Sequence, residues 1–133
     1  MKINVEISCG ELLDKLTILE IKSQKITNQK KLENITKEKK QLEKFSELLK
    51  KESVESYISF YSELLEVNKK LWDIEDKIRI CEKNEDFSSE FIRLARNVYF
   101  TNDLRFEIKN NINIFYKSGF VEEKQYVDYK AKK

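Results

Sequence analysis

Nothing in this chain interrupts a helix for long. Its 133 residues include no proline and only two glycines, Gly10 and Gly119. Proline is the strongest helix breaker and glycine the next. A β-rich fold would need turn chemistry that is scarce here. The chain is therefore expected to be all-α. Charged residues make up 38% and hydrophobic residues 40%, which suits a folded helical protein with a solvated outside rather than a disordered chain. The length fits one domain over 1–133 with a modest core.

The pattern along the chain predicts three helices. Ile3, Val5 and Ile7 alternate with Asn4 and Glu6, the period of an extended segment. Ser8 and Glu11 then form a capping box, S-x-x-E, in which each side chain satisfies a free backbone amide. A first helix is expected from about Cys9 to Lys50. Ile21, Ile35, Leu42 and Leu49 lie on its seven-residue ladder, with Asn28 on the same ladder as a register-setting residue. At about 1.5 Å per residue such a helix would be roughly 60 Å long, too long for a compact body. Ser53 caps a second helix, about Val54 to Lys83, and the short turn before it implies an antiparallel neighbour. The expected architecture is a long antiparallel helical hairpin over 8–84, with a projecting coiled-coil arm at about 28–66. A third helix over 88–118 packs at its base, with a possible break near Thr101–Asp103. Gly119 reads as its stop, and 119–133 as an irregular tail able to fold back onto the extended N-terminus.

Composition removes several chemistries. Net charge is +2 and histidine is absent, so the commonest general base and transition-metal ligand are missing. Cys9 and Cys81 form no C-x-x-C pair and read as small core residues of a reducing compartment. From Lys22 to Lys51 ten lysines face four glutamates, but with one aromatic (Phe45) and no arginine. That describes a solvated helix surface better than a nucleic-acid interface. No apolar run has the length of a signal-peptide core or a membrane span, so a cytoplasmic protein is expected.

What remains is a polar stripe. Asn68, Trp72, Glu75 and Arg79 share one helical face, as do Glu11, Lys15, Ile18 and Lys22, with Asp14 beside Lys15. Asn102, Lys109 and Asn113 continue a row on the third helix, flanked by Arg93, Arg96, Asp103 and Arg105. If the hairpin returns to its origin, these groups converge at its base. Lys15, Lys22, Arg79, Arg96, Arg105 and Lys109 would then hold an anionic small molecule. Glu11, Asp14, Glu75, Asp76 and Asp103 would orient them or chelate magnesium, the one cofactor such carboxylates suggest. The same residues would serve equally as a ring of interhelical salt bridges. All-helical nucleotide pyrophosphatases use paired carboxylates in this way, but their full pattern, Glu-x-x-Glu followed by Glu-x-x-Asp, is absent here.

Four segments carry a resemblance: GELLDKLTILEIK at 10–22, NKKLWDIEDKIR at 68–79, LARNVYFTNDLR at 94–105 and VEEKQY at 121–126. Together they resemble the signature of a small bacterial family, a domain of unknown function, over nearly the whole chain. The resemblance implies a stand-alone bacterial-type protein and no activity. Its motifs coincide with the polar stripe, which favours a site there. The leading expectation is a self-associating helical protein that binds an anionic small molecule. The alternatives are a magnesium-dependent enzyme acting on a phosphorylated or carboxylated metabolite, and a structural coiled-coil adaptor that works through its arm.

Overall fold

In the computed structural model, which describes residues 1–130, the chain is all-helical. It forms α1 (Cys9–Lys25), α2 (Gln29–Glu52), α3 (Val54–Lys83) and α4 (Ser89–Phe115), and no strand occurs among the described residues. The last residues of the expected tail, 131–133, lie outside the described residues.

The single first helix expected from Cys9 to Lys50 is two helices. α1 ends at Lys25, Ile26 turns to extended backbone (ψ 133°), and Asn28 caps α2 by accepting the Lys31 amide at 3.0 Å. Asn28 is thus a cap, not a buried register residue. A cap satisfies an otherwise orphaned amide, and with Thr27 before it the break needs neither proline nor glycine. The consequence is architectural. α2 folds back along α1, so the arm expected at 28–66 does not project as a separate pair of helices. Leu42 and Leu49 of α2 pack on the same apolar cluster as Leu12, Leu13 and Leu16 of α1.

Successive helices reverse direction. Ser53 alone separates α2 from α3, and its hydroxyl accepts the Ser56 amide at 3.2 Å. α3 runs parallel to α1: Tyr57 packs with Leu12, Leu13 and Leu16, while Asn68 further along reaches Asp14 and Thr17. α4 runs antiparallel to both. Its late residue Asn113 meets Gly10, and its earlier residue Arg105 meets Asp14. α1 and α3 each touch all three other helices, whereas α2 and α4 share no contact among the described residues. The apolar centre is Leu12, Leu13, Leu16, Tyr57, Leu64 and Ile112. Each fully buried leucine there contributes about 1.5–3 kcal/mol over leaving it exposed.

The helix ends explain two further departures. α3 and α4 close in the same way. Asp86 donates to the Cys81 carbonyl (2.8 Å) and Glu85 to Glu82 (3.0 Å); Ser118 donates to Asn113 (2.8 Å) and Lys117 to Ile114 (3.3 Å). Both are Schellman motifs, whose left-handed position usually carries glycine. Here Glu85 (φ 53°) and Lys117 (φ 52°) occupy it. The stop is therefore Lys117, not Gly119. α4 also passes through Thr101–Asp103 without a break.

The tail runs back along α4. Glu122 pairs with Lys109 (2.8 Å), Lys124 stands 5.0 Å from the centre of the Phe106 ring, and the Tyr129 hydroxyl donates to Asp103. Tyr129 also packs edge-on against Tyr99 and Phe100.

A candidate ligand groove built on a buried Asp–Arg pair

The start of α1 crosses α4 closely because residue 10 is glycine. A Cβ at Gly10 would lie 2.5 Å from the Lys109 carbonyl oxygen. The close approach lets α4 cap α1. Asn113 accepts the Gly10 amide (2.7 Å), Ser118 accepts that of Cys9 (3.1 Å), and Ser8 accepts that of Glu11 (3.1 Å). Only half of the expected capping box forms. The Glu11 carboxylate turns instead to Lys109 (2.9 Å) and Lys15 (3.7 Å). With its first amides taken, the α1 N-terminus has little to offer an anion.

One turn further along lies the centre of the seam. Asp14 is 1% exposed. Its Oδ1 accepts from Asn68 Nδ2 and from Arg105 Nε, both at 2.9 Å, and its Oδ2 accepts from Arg105 Nη2. The second hydrogen of Asn68 Nδ2 goes to Thr17 Oγ1 (2.9 Å), and the Thr17 hydroxyl donates to the Asp14 carbonyl (2.8 Å). These partners fix which way the Asn68 amide faces, because both of its contacts are acceptors. A buried carboxylate is tolerated only when paired and hydrogen-bonded, and this one is both. The hydrogen bonds it donates to Asp14 push the pKa of the Arg105 guanidinium above its ordinary value, against the opposing effect of burial.

Lys109 makes a second anchor one turn along α4. It is 6% exposed and held between Glu11 of α1 and Glu122 of the tail. Burial works against its charge, but hydrogen bonds to Glu122 and Glu11 outweigh it, and its pKa stands raised.

Arg105 joins these anchors to open space. A guanidinium has five N–H groups, and Asp14 takes two of Arg105's. On one side Arg105 lines a groove of about 520 Å³, floored by Ile18, Ile21, Leu71 and the half-buried Trp72 and rimmed by Glu75, Asp76 and Arg79. On the other it lines a hollow of about 180 Å³ with Asn102, Lys109 and Lys124.

The expected site residues thus divide. Asp14, Arg105, Glu11 and Lys109 come together in the seam, with Lys15 at its exposed edge. Glu75, Asp76 and Arg79 gather on the neighbouring groove, where Arg79 donates to its helical neighbour Glu75. The other three stand apart. Lys22 is half-buried about two turns beyond Asp14. Arg96 is exposed, 5.5 Å over the Phe100 ring. Asp103 is engaged by Tyr129. The five carboxylates therefore lie in three places, and among the described residues no three histidine, cysteine, aspartate or glutamate side chains gather as a metal-ligand set. Thr17 and Glu122 were not singled out from sequence. Thr17 had only its position three residues after Asp14 to mark it, and Glu122 only its place in an acidic pair.

No helix among the described residues is long and apolar enough to cross a membrane. No curated protein and no solved structure matches the chain. One family model does, over residues 1–131, the same span that carries the seam and the groove. The chain belongs to the family of unknown function DUF6165.

Proposed function

We propose that the protein binds a small molecule bearing a carboxylate or phosphate in the groove beside Trp72. One observation carries this reading: the guanidinium of Arg105 is fixed by the buried Asp14 and still has three of its five N–H groups unclaimed by any described residue. A preorganised arginine loses little entropy on binding and suits planar, two-oxygen acceptors. Arg79 on the rim adds a second positive charge. The flat indole and the aliphatic floor take an apolar or aromatic body. Glu75 and Asp76 balance the arginines and would accept hydrogen bonds from hydroxyl or amine groups of the same molecule. The seam's carboxylates are engaged in ion pairs, so the magnesium-dependent alternative lacks a shared set of ligands. With α2 laid along α1, the adaptor alternative lacks its free arm.

Trp72 is the chain's single tryptophan, so its fluorescence reports on the groove directly. Titration with inorganic phosphate, succinate and a set of nucleoside phosphates should give a saturable change with at least one probe. Arg79→Ala, at an exposed position, should weaken that response without unfolding the chain. Flat titrations with every probe, or a response unchanged in both Arg79→Ala and Arg105→Lys, would contradict the reading.

A further inference from the structure

The N-terminal segment is patterned as a strand but has no strand to pair with. Ile3, Val5 and Ile7 point one way by the alternation of extended chain, and Lys2, Asn4 and Glu6 the other. Among the described residues, the backbone of residues 1–7 makes no hydrogen bond. Ile3 is 76% exposed and Val5 74%. An extended edge with apolar side chains and free backbone groups is a template for another strand.

The sequence itself indicates which strand fits. We propose that residues 2–6 pair antiparallel with the same residues of a second copy, about a twofold axis through Asn4. In that register Lys2 faces Glu6 at both ends, Ile3 faces Val5, and the two Asn4 residues face each other. Sliding the pairing by one step that keeps the faces sets Lys2 opposite Asn4 or Ser8 instead, and the charge match is lost. Opposite charges directly across an antiparallel pair stabilise it and like charges oppose it, so the segment is complementary to itself in one register. Twofold, isologous contacts are the commonest form of self-association. A two-stranded ribbon is marginal alone, and each strand here leads straight into α1, whose Cys9 amide donates to the Ser118 hydroxyl. Glu6 lies against Gly119, which places the tail beside the polar face and leaves Ile3 and Val5 exposed. This inference concerns a different face from the groove and does not depend on the ligand.

Cross-linking and a charge-exchange cycle test it. In a Cys9→Ser, Cys81→Ser background, Asn4→Cys places two thiols opposite each other at about 4.5–5.5 Å between Cα atoms, within disulfide reach. Ile3→Cys places them roughly 8 Å apart, beyond it. Asn4→Cys should oxidise to a covalent dimer and Ile3→Cys should not. Lys2→Glu and Glu6→Lys should each raise the dimer dissociation constant roughly tenfold in sedimentation equilibrium, and the double variant should restore it. All these changes lie outside the helices, and circular dichroism should be unchanged. Three results would overturn the proposal: equal cross-linking at positions 3 and 4, a double variant as weak as the singles, or a chain monomeric throughout. A disulfide within one chain between Asn4→Cys and Val121→Cys, formed in preference to the dimer, would instead assign the segment to the chain's own tail.

Discussion

α1 and α2 are joined by three residues, and α2 carries 13 charged side chains against six in α1, yet their relations to the core are the reverse of what those charges suggest. α1 buries eight of its 17 residues, among them Asp14 and Thr17. α2 buries two of its 24, Ile35 and Ser46. The lysines of α2 face water, where a charge contributes little either way. The two carboxylates near the start of α1 face other helices and are held by partners from α3 and α4. Charge density in a sequence therefore does not locate the important charges. Here the sparsely charged helix holds the electrostatic core, and the densely charged one is a cover.

That contrast can be broken by substitution. Asp14→Ala leaves Arg105 partly buried without its hydrogen-bonded carboxylate and Asn68 short of an acceptor. It should cost about 3 kcal/mol of unfolding free energy. Lys44→Ala, on the exposed face of α2, should change stability by less than about 0.5 kcal/mol. Urea denaturation measures both, and comparable effects would mean that the seam is no more structural than the surface. Gly10→Ala is sharper because its sign is diagnostic. In a free helix, alanine for glycine gains up to about 1 kcal/mol. Against the Lys109 carbonyl it should instead lose about 1–3 kcal/mol. A stabilised Gly10→Ala protein would show that α1 and α4 are not in close contact.

The smallest effect concerns pH and the tail. The hydrogen bond to Asp103, with some burial, pushes the Tyr129 hydroxyl from 10.0 up to about 12. A raised folded-state pKa contributes stability that is complete below the unfolded value and fades as pH rises through the folded one. Tail docking should therefore hold below pH 10 and weaken between about 10 and 12. Lys109, raised above 10.5, acts in the same alkaline direction. An NMR titration of the tyrosine rings checks this, with Tyr129→Phe lacking the step. A Tyr129 titration near 10 would detach the tail from the seam.

Much of the secondary structure was legible. The Ser8 and Ser53 caps stand where side-chain chemistry predicts, and α4 begins at the start of the expected third helix, although Ser88 before it makes no side-chain cap hydrogen bond. The break at 26–28 was not, because Asn28 falls on the heptad ladder that supported a continuous helix. Its signals as a cap are weak, since Lys30 and Lys31 in the first turn oppose the helix dipole. That one misreading moved α2 from a projecting arm to the body. Asp14, Arg105, Glu11 and Lys109 were legible as candidate residues from their types and spacing, and the structure brings them together. Their mutual pairing was not, because it depends on how α1 crosses α4. Gly10 controls that crossing, and a glycine in the first turn of a helix gives no local sign of what lies against it.

The central claim is that α1, locked through Asp14 and Gly10, is the structural axis and α2 its cover. Native-state hydrogen exchange tests it most directly. Amides of α1 from Leu13 to Ile21 and the facing amides of α4 should open only with global unfolding. Amides of the first half of α2, 29–40, should exchange through local opening at lower free energy. Uniform protection across all four helices, or an α1 that opens before α2, would contradict the account.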